Sequence, residues 1–358
     1  MATVFKLMNA DDIVTTRKLF HEAIPLTGTI VSGTYGSPRD TTSNIRNYPH
    51  GMFQSVYDYP YLSSSANHLM DLTIGIAQTS SLSGSSVPQM AKKMNLYNQM
   101  AQILVGFDET HAIRQFDQDG DLTGGTKMNE CYFVNFTRLL SKDEIKKGSF
   151  SLELAVSTSY SHPTGERIII QDTNGASQWK VNSPAGEYGL LYASNSLGEP
   201  LTGYDHEDPP IVGHVYYQTG DVVLTSSVFS TLLSQSCSMS SGLLTPINEV
   251  LTGSSITGAC DALRHRFYNC SFNNTTELNT TVYFARCNHN EFNYSANPTY
   301  LSGSKIRVKN NSWDAPISYI TTVGFYSPDS ELLAVAKLSE PLKKTSDIEV
   351  TVKALMVT

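Results

Sequence analysis

The stretch Phe150-Ser-Leu-Glu-Leu-Ala-Val156 alternates large apolar residues with small or polar ones. Because successive side chains of a β-strand point to opposite faces, this alternation predicts a strand with one buried face. Further apolar runs follow at 168–170, 189–193 and 212–224, with clusters of Gly, Pro, Asn and Asp between them. Short strands separated in this way indicate antiparallel sheet rather than repeated βαβ units.

Helical spacing occurs on both sides of this β region. Apolar residues three and four positions apart predict a helix over 88–105, namely Met90, Met94, Tyr97, Ala101 and Leu104. Pro88 suits its first turn, Ser86 is a suitable N-cap, and Gly106 follows its end. Ser141 and Glu144 have capping-box spacing ahead of Gly148, which predicts a second, shorter helix. A third short helix is predicted over 254–266.

The C-terminal part of the chain is predicted to be β-rich. The run 317–325, the turn Ser327-Pro-Asp-Ser330 and the run 331–338 predict a hairpin, because proline fixes φ at the second turn position. We therefore predict a mainly β protein of the α+β class, with antiparallel sheets in sandwich-like units and two or three short to medium helices. Four segments are expected: an irregular arm with short strands (1–87), a helical segment with an acidic loop (88–148), an antiparallel β region (149–250) and a C-terminal β-rich region (251–358) that contains the hairpin 317–338.

The polarity of the chain comes mainly from neutral groups. Only 16% of its 358 residues are charged, against about a quarter in average soluble proteins, and 42 Ser with 34 Thr outnumber the 33 acidic and 25 basic residues together. Such a surface suits packing against other protein. The net charge of -8 and the lack of basic clusters longer than two residues argue against a nucleic-acid partner.

Neither the N-terminus nor any internal run predicts membrane insertion. No stretch approaches 18 uninterrupted apolar residues, and the first ten residues lack the apolar run of a signal peptide. We therefore expect synthesis in, and retention by, a cytoplasm. The five cysteines match no zinc-ligand spacing and are expected to be buried thiols.

Aromatic residues concentrate before the first predicted helix. Residues 52–62 form either a core strand or a contact surface, since aromatics are enriched in both. The turn-rich stretch 24–49 favours an extended arm or an ordinary surface loop over a helix. If these regions are contact surfaces, the interface residues are Tyr35, Tyr48, Phe53, Tyr57, Tyr59 and Tyr61.

No catalytic motif emerges from the sequence. The nine histidines show no metalloenzyme pairing, and nucleophile elbows, phosphate loops and dinucleotide fingerprints are missing. We therefore expect a protein that is not an enzyme and has no cofactor or metal. Two alternatives stay open. Asp117, Asp119 and Asp121 form either a polar turn or a loose cation site, since an EF-hand would need its glycine at loop position six, not four. Glycoside hydrolysis by carboxylates such as Asp108, Glu109 and Glu166 depends on tertiary geometry.

Two N-terminal stretches resemble virion structural proteins of contractile-tailed bacteriophages, especially those of cyanobacterial and marine hosts: Gln54-Ser-Val-Tyr-Asp-Tyr-Pro-Tyr-Leu-Ser-Ser-Ser-Ala-Asn-His68 and Leu96-Tyr-Asn-Gln-Met-Ala-Gln102. Stretches of the C-terminal part are similar to the same family: Asn290–Tyr300, Ser318–Gly324 and Glu331–Ser339. The resemblance covers most of the chain. It implies a part of the assembled particle, made in the host bacterial cytoplasm and placed in the tail or baseplate, with no catalytic residues to transfer.

The resemblance and the composition lead to one main expectation and two alternatives. The main expectation is a structural subunit whose partners are other virion proteins and copies of itself. One alternative is a receptor-binding or glycan-binding tail protein, which would need a groove of aromatics and carboxylates. The other is a head or neck protein associated with the capsid.

Overall fold

The computed structural model describes residues 5–26, 44–140, 144–230, 232, 237–240, 245–295, 298–303, 305–306, 311 and 313–357. It is 40% strand and 14% helix, with large antiparallel sheets and three α-helices in its described part. The predicted β-rich α+β class is thereby confirmed. The chain divides into two compact units: unit 1 comprises Met1–Leu19 and Glu277–Thr358, and unit 2 comprises Phe20–Thr276.

The described strands are numbered in chain order. Those of unit 2 are β2 (Ile45–Asn47), β3 (Gln54–Tyr57), β4 (His68–Ile76), β5 (Glu130–Asn135), β6 (Glu144–Ile145), β7 (Ser151–Ala155), β8 (Arg167–Gln171), β9 (Lys180–Ser183), β10 (Gly186–Asn195), β11 (Ile211–Tyr216) and β12 (Asp221–Thr225). Those of unit 1 are β14 (Leu301–Ser302), β15 (Lys305–Ile306), β16 (Ile317–Tyr326), β17 (Leu332–Thr345) and β18 (Val350–Val357). Two strands contain residues of both units, β1 (Ile13–Leu26) and β13 (Phe267–Cys287).

Unit 2 is built on one large sheet in the order β13, β7, β8, β10, β11, β12, β5, β4, β3 and β2. The registers within it are antiparallel; Leu152 of β7, for example, lies opposite Ile170 of β8. The alternating sequence that predicted β7 holds here, because Leu152 and Leu154 are fully buried while Ser151 and Glu153 are only half-buried.

The central strands of this sheet are covered on both faces. On β5, Tyr132 and Val134 belong to one hydrophobic core, whereas Cys131 and Phe133 belong to a second one. A strand that is buried on both faces has no solvent-exposed face, which explains why its sequence is an apolar run rather than an alternation of apolar and polar residues.

The α-helices pack against the sheet of unit 2. They are α1 (Met90–Leu104), α2 (Ile247–Leu251) and α3 (Ile256–Arg266). The α1 residue Tyr97 lies in the same core as Phe133 of β5, and the Cys260 thiol of α3 lies 3.4 Å from the carbonyl oxygen of Leu72. The predicted helices over 88–105 and 254–266 are therefore confirmed.

Their N-termini differ from each other. Ser255 caps α3 by accepting a hydrogen bond from the backbone N–H of Gly258. The sequence predicts Ser86 as the cap of α1, but the N-cap is Gln89, which makes no side-chain cap bond. Packing of Tyr97 and Leu104 therefore stabilises α1 without that cap.

The helix predicted after Ser141 is wrong over its described residues. Glu144 and Ile145 form β6 and pair with Thr275 and Asn274 of β13. Ile145 is fully buried by this pairing. One turn of helix fixes several backbone dihedrals in return for a single hydrogen bond. A segment this short is therefore stabilised more by joining an existing sheet. The segment 88–148 thus contains one described helix, and its other regular elements are strands.

Three strands of unit 1, β16 to β18, are long and largely exposed. The second half of β13 pairs with β18, from Thr280 opposite Val357 to Cys287 opposite Val350. The predicted hairpin is confirmed as β16 and β17, which form a sheet of two strands. Across the described parts of both units, no helix combines the length and apolarity needed to cross a bilayer.

Candidate interaction surfaces and polar clusters

The aromatic residues predicted as an interface lie at one end of the unit 2 sheet, around β2, β3 and the loop before β4. Tyr48, Phe53 and Tyr57 are half-buried, whereas Tyr59 and Tyr61 are exposed. Tyr35 lies outside the described residues. The segment 52–62 therefore combines the two alternatives, because residues 54–56 are core strand and the aromatics around them reach the surface.

The structure brings these aromatics together in two groups. Tyr48 stacks on His50 with ring centroids 5.3 Å apart, and both rings contact Phe53. In the second group, Tyr57 lies between Tyr61 and His68, with centroid distances of 6.2 and 5.1 Å. Ring pairs of this kind hold partly exposed aromatics in fixed positions, which suits contact surfaces.

A serine, an aspartate and a histidine meet beside the second group. His68 Nε2 lies 2.8 Å from Asp71 Oδ1, and the Ser55 hydroxyl donates to the same carboxylate oxygen. Burial opposes ionisation of Asp71, but these hydrogen bonds outweigh it and lower the pKa of its carboxyl group. Ser55 therefore bonds to the carboxylate rather than to the imidazole. A catalytic triad needs the opposite order, in which histidine takes the serine proton.

The acidic residues considered for glycoside hydrolysis have other surroundings. Asp108 Oδ1 accepts hydrogen bonds from the backbone N–H groups of Thr110 and Ala112, which closes a turn, and the pKa of Asp108 is lowered by its bonds to Thr110 and Ala112. Glu109 is exposed in that turn, and Glu166 is exposed just before β8. Asp108 thus acts as a turn-stabilising acceptor.

The acidic loop brings three carboxylates together. Asp117, Asp119 and Asp121 each place one oxygen within 4.8 Å of the others. Asp117 is fully buried and forms an ion pair with Lys127, whose Nζ lies 2.8 Å from Oδ2, while the other two aspartates are exposed. Burial raises the pKa of Asp117; Lys127 acts in the opposite direction, and Asp121 and Asp119 add to the rise. The pKa of Asp121 is lowered, chiefly by the hydrogen bond from the backbone N–H of Thr123.

Unit 1 holds a surface that sequence reasoning missed. A cleft of about 930 Å³ is lined entirely by unit 1 residues, among them Phe5, Tyr283, Phe325 and Tyr326. Phe5 packs on Tyr326 with ring centroids 4.8 Å apart, and Tyr283 packs on Phe325 at 5.0 Å.

Exposed apolar side chains surround the turn of the hairpin. We call Tyr326, Leu332, Leu333 and Val335 the hairpin patch; each is between 45% and 68% exposed. Tyr326 and Leu332 lie over Gly324, whose added Cβ would be 2.9 Å from the tyrosine ring. The sequence of β16 could have indicated this surface, because its ten residues are rich in β-branched and aromatic types and carry no charge.

Comparison of the chain with known protein families, with curated proteins and with solved structures finds no match.

Proposed function

We propose that this chain is a structural subunit of a tailed-phage particle, placed in the tail or baseplate, that acts by packing against copies of itself and other virion proteins. The sequence resemblance supports membership of the particle, and the apolar surface of unit 1 supports packing against other subunits. In this role the protein acts through buried area and shape complementarity rather than by making or breaking covalent bonds.

The observation that carries the proposal is the apolar surface of unit 1. Leu333 is 68% exposed and Val335 54% exposed on the hairpin, and Leu355 on β18 is 62% exposed. Removing apolar surface from water stabilises by about 25 cal/mol per Å², so such side chains favour association.

The architecture of the hairpin adds a second reason. Within the described residues β16 and β17 pair only with each other. A two-stranded sheet is marginally stable in water and gains from a further layer or strand. Phe325 of the hairpin already packs against Tyr283 of β13, so a neighbouring subunit would add a further strand or cover the apolar side chains that stay exposed.

The aromatic groups of unit 2 fit the same role. Exposed Tyr59 and Tyr61 and the half-buried Tyr57 offer large rings with polar tips, which are enriched in protein interfaces. The Ser55 hydroxyl is bonded to Asp71 and is not activated by His68, so this surface offers contacts rather than a nucleophile.

Cryo-electron microscopy of the virions encoded by the genome that carries this gene tests the proposal. We expect density for the hairpin and for α1 in several copies, buried between tail or baseplate subunits. Density in the head shell or neck would overturn the tail placement in favour of a capsid-associated protein. Density at a distal tip, with glycan binding by the purified protein, would overturn it in favour of receptor recognition. Absence from the particle would overturn the virion role altogether.

A further inference from the structure

The acidic loop of unit 2 carries more negative charge than the described residues around it neutralise. It runs between Phe116 and Met128, whose backbone groups are hydrogen-bonded to each other, and Asp117 pairs with Lys127 across its base. Three carboxylate oxygens converge within 4.8 Å, and among the described residues Lys127 forms an ion pair with Asp117. Like charges at such distances repel unless a proton or a cation lies between them.

The burial of Asp117 distinguishes this loop from an ordinary cluster of exposed acidic residues. Its side chain is 0% exposed, and its ion pair with Lys127 is made through Oδ2, 2.8 Å from Nζ. Among the described residues, no hydrogen-bond donor reaches Oδ1. A buried carboxylate oxygen without a partner is costly, and native proteins satisfy nearly all such atoms with protein, water or an ion.

The backbone of the loop leaves space at this oxygen. Gly125 has a φ of +61°, and a Cβ built on it would lie 3.2 Å from Asp117 Oδ1 and 3.5 Å from Asp119 Oδ2. The buried carboxylate and an exposed one therefore face the same point, and the absence of a side chain there keeps it open. The set of donors consists of carboxylate oxygens, which hard cations prefer.

We propose that Asp117, Asp119 and Asp121 bind a Ca²⁺ ion. Asp117 contributes its unpartnered Oδ1, the two exposed aspartates contribute one oxygen each, and water completes the coordination. Spacing at alternate positions resembles that of other calcium loops, but position twelve is Met128 rather than a bidentate glutamate. We therefore expect modest affinity, with a Kd on the order of 10⁻⁵ to 10⁻³ M.

Terbium luminescence with the full chain tests the site, because a tyrosine is already in place to sensitise the ion. The hydroxyl of Tyr188 lies 3.0 Å from the carbonyl oxygen of Gly120, inside the loop. Excitation of tyrosine should give Tb³⁺ emission that excess CaCl₂ suppresses and an equal concentration of MgCl₂ does not. Titration calorimetry with CaCl₂ alone gives an independent binding constant.

Variants separate this site from other acidic surfaces. Asp119→Asn and Asp121→Asn change exposed side chains, so the fold should survive, and each should weaken calcium binding at least tenfold. Asp205→Asn, in the exposed acidic loop 205–208, is the matched control and should bind as the wild type does. Equal emission from all four proteins, equal competition by Mg²⁺, or no heat with CaCl₂ would overturn the proposal and leave the loop as a structural ion pair.

Discussion

At the scale of single residues, two buried groups make the stability of the fold depend on pH in opposite directions. Asp172 accepts hydrogen bonds from the backbone N–H groups of Gly148 and Phe150 and from the Tyr217 hydroxyl. Burial raises the pKa of Asp172 to about 6, and these bonds limit the rise. His214 is buried beside Tyr188, and burial lowers the pKa of its imidazole to about 4. Each group therefore makes the free energy of unfolding depend on pH.

For Asp172 the folded pKa exceeds the unfolded value, so the protonated form is favoured in the folded state. Its stabilising effect is full below pH 3.8 and is lost as the pH rises through about 6. Between pH 4.5 and 7.5 we expect it to lower the free energy of unfolding by about 2 kcal/mol. Urea denaturation of the wild type and Asp172→Asn at both pH values measures this, and equal pH dependence of the two proteins would contradict it.

For His214 the sign is reversed, because the folded state keeps the imidazole neutral. Stability is full above pH 6.5 and is lost as the pH falls towards 4. From pH 7.5 to 5 we expect His214 to contribute a loss of about 2 kcal/mol, measured as the difference in pH dependence between the wild type and His214→Gln. His206→Gln, at an exposed histidine, is the control and should follow the wild type. Identical losses in all three proteins would be inconsistent with a buried neutral His214.

At the scale of elements, the contact between α1 and β4 depends on a glycine. A Cβ on Gly75 would lie 2.8 Å from the backbone Cα of Tyr97, which cannot move without displacing the helix. We expect Gly75→Ala to lower the free energy of unfolding by about 1–3 kcal/mol, as overpacking does. Chemical denaturation measures the loss. Gly84→Ala, where nothing lies within 4 Å, should have little effect, and equal stability of both variants would contradict the close packing.

The same helix also stabilises the end of α2. Lys93 is fully buried, and its Nζ donates to the carbonyl oxygens of Leu251 and Gly253, each at 2.6 Å. Lys93→Met would leave both carbonyls unpaired, and we expect a loss of about 1–3 kcal/mol. The neighbouring Lys92 is exposed, so Lys92→Met is the matched control. Backbone amide hydrogen exchange at 251–254 should become faster only in the Lys93 variant. Unchanged exchange there would contradict a stabilising role of Lys93 at the end of α2.

At the scale of the whole molecule, the apolar surface of unit 1 determines the expected assembly. Leu333→Lys with Val335→Lys places two charges on the hairpin patch, at side chains that are exposed and contribute little to either core. We expect unchanged thermal stability and loss of incorporation into particles, measured by complementation and mass spectrometry of virions. The control is Val181→Lys with Leu197→Lys, which changes two still more exposed apolar positions of unit 2. Normal incorporation of the hairpin variant would contradict the proposed function.

The sequence determined what depends on local periodicity and turn chemistry. The alternation at 150–156, the helical spacing at 88–105 and the turn Ser327-Pro-Asp-Ser330 each predicted the element that forms, because the period of burial and the φ preferences of turn residues are local properties. The acidic spacing at 117–121 likewise raised a cation site as an alternative.

Only the tertiary structure decided what depends on distant partners. Glu144 and Ile145 became a strand because β13 offers them an edge, and the central strands are covered on both faces because helices come from remote parts of the chain. The burial of Asp117, the bonding of Ser55 to Asp71 rather than to His68, and the exposure of the hairpin patch are also non-local. Sequence spacing fixes which residues lie close along the chain, whereas burial and solvent exposure are properties of the packed whole.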